Sequence, residues 1–316
     1  MKAILFTLCV LAGVVGAHAQ YNEVNLALEP AIVAAKYKYE NLQLFPIRAN
    51  STFKKHHESV GNYVTLKEAL AKNKIAITEA GQGSSSGTVN TLFIENISSD
   101  TIMILGGEVV QGGKQDRMIA QDFILYPGSG KKDVSVFCVE QGRWQTKADG
   151  KSFKECYSIS SNEVRKAGTV KKNQREVWNK VADVTNKNTA GSSTGTYAAL
   201  KESESYNKDL KKYLAHFNDL LSRESDVIGM VAVSGDKILG SDMFATHDLF
   251  KSHYANLLNS YATEAMSTGK PVTIQYDKVK EYLQLILKDE TTQETEVQKN
   301  GTLLKEGEKK LHLSTF

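Results

Sequence analysis

What most constrains this chain is a change of rhythm near residue 150. Before it, short runs rich in β-branched and aromatic residues alternate with turn formers. The runs are Thr88–Glu95, Thr101–Leu105, Met118–Leu125 and Asp133–Val139, separated among others by Asn96-Ile-Ser-Ser-Asp100 and Pro127-Gly-Ser-Gly130. This spacing predicts a sandwich or open barrel over about residues 40–145, with the first two runs as a hairpin. Thr65-Leu-Lys-Glu68 is a capping box that opens a short helix ending near Lys72. After Gly150 the apolar period lengthens. Gln174–Val184 reads as a helix and Thr189–Thr196 as a mobile Gly/Ser/Thr loop. Leu210, Tyr213, Leu214, Phe217, Leu220 and Leu221 recur at helical spacing, which predicts a long amphipathic helix over Tyr197–Arg223. Val227–Val233 and Lys237–Phe244 form an apolar hairpin. A helix capped by Thr246 or His247 follows and stops at Gly269, and another runs near Lys278–Leu287. The fold class is therefore α+β, a β-rich N-terminal half packed against a helix-rich C-terminal half.

The first residues are read as an export signal rather than as structure. Lys2 is followed by the apolar run Ala3–Gly16, and Ala17-His18-Ala19 fits the small-x-small cleavage rule. The run is shorter than the ~20 residues that cross a bilayer. The organisation expected is a leader at 1–19, one α+β domain at 20–288 (β-rich 40–145, helix-rich 151–288) and a polar extension at 289–316, with a loose hairpin turned at Asn300-Gly301. The mature chain is expected to be soluble, periplasmic or extracellular, with no membrane span. Net charge is +3, and the lysines are dispersed, so nothing points to a nucleic-acid partner. Without Cys9 two cysteines remain, Cys138 and Cys156. An oxidising compartment would allow a disulfide, two buried thiols are the alternative, and both readings stay open. Two thiols with no histidine near them in sequence do not fill a metal shell, so no metal is expected.

Two stretches fit neither a buried strand nor a solvated loop: GGEVVQGGKQDR at 106–117 and CVEQGRW at 138–144. In the first, glycine pairs bracket Glu108, and Lys114, Gln115 and Arg117 supply donors. Glycine pairs let a backbone approach a ligand closely, or simply make tight turns. The second ends an apolar strand in Glu140, Gln141, Arg143 and Trp144. Arginine offers a flat fork for carboxylate or phosphate, and tryptophan a face for a ring or sugar. The plain alternative is an internal network of these carboxylates and guanidinium groups. There is no P-loop and no GxGxxG turn, and no cofactor is expected.

These motifs, with Tyr63–Leu70, Gln174–Trp178 and Gly229–Val233 through Phe244, resemble the bacterial ARG and rhodanese-phosphatase-superfamily-associated family, over about Ile47–Met266. The resemblance implies a pocket of unassigned activity. The family's first motif usually reads GGKQNR, so Asp116 puts a carboxylate where an amide is usual. Many relatives lack an export signal yet carry the cysteine of the second motif. The resemblance thus implies that Cys138 does not exist to form a disulfide.

Three function classes follow. In the first, a polar pocket lined by Glu108, Lys114, Gln115, Arg117, Glu140, Gln141, Arg143 and Trp144 binds a small anionic or sugar-bearing ligand. In the second, Glu108 and Glu140 are the acid and base of a hydrolase or transferase. The third is a structural or interaction protein of the envelope. No nucleophile constellation stands beside them. Cys138 and Ser135 lack a partnering base or elbow, His247 reads as a cap or surface residue, and His253 is expected to face away from the Phe250/Tyr254 stripe. Since adjacent strands can bring their ends together, the two motifs are expected to form one site.

Overall fold

The computed structural model describes residues 19–80, 90–145, 150, 152–218 and 223–316. Residues 1–18 of the expected leader, Thr88 and Val89 of the first strand, and Leu220 and Leu221 of the long helix lie outside the described residues.

The β-rich half is built on a six-stranded antiparallel sheet in the order Phe153–Ile159, Glu108–Gly112, Arg117–Ile119, Lys132–Cys138, Thr91–Asn96 and Ile75–Glu79. Its outer strands meet again at a single bridge, Thr78 to Ser152, so the sheet curls into a half-barrel. Strand alternation explains the filling. Ile75 and Ile77, Leu92 and Ile94, Val134 and Val136 point inward, and Leu66 and Leu70 of helix Leu66–Ala71 plug the interior. Thr65 caps that helix as predicted, its hydroxyl accepting from Glu68 N at 3.2 Å. The outer face carries Val109 and Met118 into a second core with Val164, Ala167 and Val177.

The second half is organised around another antiparallel sheet, in the order Leu26–Leu28, Leu42–Ala49, Val227–Ser234, Lys237–Phe244, Lys309–Thr315 and Gly301–Glu306. Helix His247–Thr268 covers one face and helix Tyr276–Leu287 the other. Covered on both sides, Val227–Ser234 is buried along its whole length, which is why it reads as a continuous apolar run. Leu42–Ala49 lies in the β-rich part of the sequence but belongs to this sheet, so the chain weaves between the halves.

Several expectations are corrected. Thr91–Asn96 and Ile102–Ile104 do not form a hairpin. The Asn96 amide donates to Asp100 O at 2.7 Å and Leu125 O at 3.0 Å and turns the chain into a separate small sheet with Val64–Thr65 and Phe123–Leu125. The long helix starts as a 3-10 turn, Tyr197–Glu202, and restarts as Glu204–Phe217 because Ser203 caps Tyr206 N. The tail does make a hairpin, but its turn is at Gly307 (φ 58°), after helix Glu290–Asn300. Nor is it loose, since Lys309–Thr315 is hydrogen-bonded on both sides and buries Leu311, His312 and Leu313. The surrounding lysines hid that alternation.

Candidate functional site

Strand Glu108–Gly112 carries a glycine pair at each end, and both ends are occupied by the chain itself. At one end Gly107 (φ 98°) lies under the Arg165 stem, where an added Cβ would be 2.6 Å from Arg165 Cγ. At the other, a Cβ on Gly112 (φ 144°) would meet Ser152 O at 2.3 Å. The glycines admit neighbouring protein, which corrects the expectation that they leave room for a ligand.

Beyond Gly112 the two motifs interlock. Glu140 accepts from Asp116 N at 3.0 Å and from Arg143 Nε and Nη2 at 2.9 and 2.6 Å. Arg143 also donates to Gly113 O at 2.7 Å, Gly112 O at 3.1 Å and Asp116 Oδ1 at 3.2 Å. Burial alone would raise the Glu140 pKa, but Arg143 and the Asp116 amide outweigh it and hold it below the usual carboxylate value. Gln115 links the motifs, donating to Glu140 O at 2.6 Å and accepting from Arg117 Nη1 at 3.1 Å. Arg117 is fully buried at the end of the half-barrel with Glu79, at 3.7 Å, as its charge partner. Its Nε and Nη2 have no hydrogen-bond partner among the described residues. Toward solvent, Lys114 Nζ sits 5.1 Å from the centre of the Trp144 ring, which is 44% exposed. Gln141 is exposed beside them. The expected loop is fastened here too, Gly142 N donating to Thr194 O at 2.7 Å and Thr196 Oγ1 to Asp116 Oδ2 at 2.9 Å.

A comparison with known protein families matches residues 31–313 to the ARG and Rhodanese-Phosphatase-superfamily-associated Protein domain. The chain belongs to this family. No curated protein and no solved structure matches it.

The two motifs converge, then, except at the Gly106–Glu108 end. Glu108 is at the far end of the strand, about 13 Å from Gly112 at ~3.3 Å per residue. No single reacting atom is within reach of both Glu108 and Glu140, so the expected acid–base pair is not formed. Glu108 accepts from Leu105 N at 2.9 Å, and burial raises its pKa to about 8. The cysteine of the second motif is structural as well. Cys138 and Cys156 are buried and form no disulfide. Cross-strand partners run Cys138–Arg117–Val110–Cys156, which places the thiols three strands, or about 14 Å, apart. A disulfide needs Cα atoms within ~7 Å. Burial pushes both thiol pKa values up, away from a reactive thiolate. Among the described residues no group of His, Cys, Asp or Glu has the arrangement to hold a metal. The Asp116 carboxylate gives Arg143 a second ion partner at 3.2 Å.

Sequence reasoning missed a second charged cluster, at the Gly106–Gly107 end, in the seam between the two large sheets. Arg165 pairs with Asp242 Oδ1 at 3.0 Å and donates to Gly106 O at 3.0 Å. His312 bridges Asp122 at 2.6 Å and Asp242 at 3.0 Å, and Tyr261 donates to Asp242 at 2.6 Å. Burial would lower the His312 pKa, but the two carboxylates more than offset it and raise it. Burial would likewise raise Asp242, yet Arg165 and His312 hold it well below the carboxylate range. His253, expected to face away from the apolar stripe, is fully buried, stacked on Phe244 at 5.5 Å, and pushed down to about 3 by burial. His247 is half-buried, its Nδ1 2.7 Å from Val227 O. The available signal was a lone charge inside an apolar alternation, as in Leu311-His312-Leu313.

Proposed function

We propose that this is an exported, non-catalytic binding protein whose motif cluster takes a small anionic ligand. One observation carries the reading: Arg117, fully buried where the motifs meet, has Nε and Nη2 without hydrogen-bond partners among the described residues. Buried guanidinium N–H groups are costly unless paired, and a carboxylate or phosphate matches their fork. The Lys114 ammonium and the half-exposed Trp144 ring supply attraction and a stacking face at the rim. Export is supported by the leader-like first residues, Lys2, the apolar run Ala3–Gly16 and the small-x-small Ala17-His18-Ala19. No described helix is long and apolar enough to cross a membrane.

Calorimetric titration with inorganic phosphate, citrate and glucose 6-phosphate tests the site. At least one should bind, and Arg117→Gln and Trp144→Ala should each weaken it by about tenfold. Binding by none of the three, or unchanged affinity in both variants, would sink the proposal. Sequencing of the secreted chain should begin at Gln20 or Tyr21; an intact Met1 refutes export.

A second reading has its own support. Arg143, Glu140 and Asp116 spend their polar atoms on each other and on Gly112 and Gly113. On that view the motifs are a clamp within a structural or interaction protein. Loss of stability in Arg143→Ala without any anion response would favour it.

A further inference from the structure

A cleft of about 420 Å³ shares no residue with the motif cluster. It forms where the turn after Lys38–Tyr39, the C-terminal end of helix Gln174–Lys187 and helix Glu204–Phe217 meet. Tyr206, Tyr213 and Asn188 give it a buried floor, while Glu40, Asp209, Lys187 and Lys212 stand exposed around it. Tyr39 is fixed by an edge-on contact with Tyr213 at 5.0 Å and by stacking on His216 at 5.0 Å. Tyr213 Oη accepts from Asn41 N at 3.4 Å, so its own hydrogen is left to donate.

The backbone singles out the same place. Among the described residues, the non-glycine positions with positive φ are Glu40, Asn73, Lys172 and Thr189, and two of these four line this cleft. Thr189 (φ 53°) closes the preceding helix in the left-handed position that usually belongs to glycine, with Ala190 N returning to Thr185 O at 2.8 Å. A β-branched residue is strained there, and glycine would relieve it. What the chain keeps in exchange is a hydroxyl at Thr189 and a carboxylate at Glu40, both on the cleft. Strain retained at a cavity wall is a mark of use.

We propose that this cleft is a second binding site, for a neutral polyhydroxylated ligand of mono- or disaccharide size. Two carboxylates and two ammonium groups balance around it, so it has no preference for a net charge. The tyrosine rings match the apolar faces of a sugar ring, and the carboxylates, amides and hydroxyls match its hydroxyl groups. A volume of about 420 Å³ falls within the range of small-molecule sites.

Calorimetry and saturation-transfer NMR on the full chain, with glucose, N-acetylglucosamine, maltose and cellobiose as probes, test this. At least one probe should saturate below about 10 mM, a weak but specific affinity. Inorganic phosphate, the probe of the motif cluster, should not displace it, and a failure of phosphate to bind leaves this result standing. Asp209→Asn should weaken the sugar by about tenfold. Thr189→Gly should weaken it while the melting temperature holds or rises, a split that a purely structural threonine would not give. Saturation by none of the four probes, displacement by phosphate, or unchanged affinity in both variants overturns the proposal.

Discussion

The two ends of strand Glu108–Gly112 make the same gesture with opposite materials. At the Gly112 end Arg143 is held by a carboxylate three residues away and remains partly open to water. At the Gly107 end Arg165 is fully buried and pairs with Asp242, which His312 links on to Asp122, all drawn from distant parts of the chain. Water still shares the load at the first, while the second must balance every charge from within. Charge pairs that sit near each other in sequence can therefore be trimmed cheaply, and those assembled across a dry seam cannot.

Removing Asp242 should test this hardest. Asp242→Ala leaves Arg165 and His312 buried without their shared anion and should cost about 3–5 kcal/mol in urea unfolding. A cost no larger than that of trimming Arg143 would break the comparison. Glu108 acts with the opposite sign. Its folded pKa of about 8 stands above its ordinary value of 4.5, so as pH rises past the lower figure the unfolded chain releases a proton that the native chain keeps. Stability is thus lost between those two values. Glu108→Gln should flatten that fall and gain roughly 4 kcal/mol at pH 7.5, read from unfolding curves across pH. An unchanged slope would show that Glu108 ionises freely in the fold. Gly107→Ala, which forces a Cβ against the Arg165 stem at positive φ, should cost about 2 kcal/mol. If its melting temperature is unaltered, the seam is more compliant than drawn. The smallest effect belongs to Arg143→Ala, at about 1–2 kcal/mol, because solvent can replace part of what the guanidinium gives. A loss matching Asp242→Ala would place both clusters in one class.

Much of the second half was legible because its signals are local. Thr246 caps the long helix, Gly269 ends it at φ 62°, and the hairpin around Ser234-Gly235-Asp236 pairs as its apolar runs suggest. The first half was legible only as a collection of strands. Which strands pair depends on side chains such as Asn96, whose two carbonyl partners redirect the chain, and no pattern of apolar residues encodes that. The convergence of Gln115, Arg117, Glu140 and Arg143 could be foreseen because each motif leaves a strand end with charges it cannot bury alone. Glu108 misled because it shares a motif with Arg117 but not an end of the strand. His312 stayed hidden in a stretch that composition marks as polar.

The bridge from Asp122 through His312 to Asp242 also sets an order of events. Its members are separated by as many as 190 residues, and none of them can leave water safely before the others arrive. The seam should therefore close late, after the folding barrier has been crossed. Weakening it should leave the refolding rate almost untouched and appear as faster unfolding. The lifetime of the native chain, more than the speed of its making, would then rest on a histidine between two aspartates.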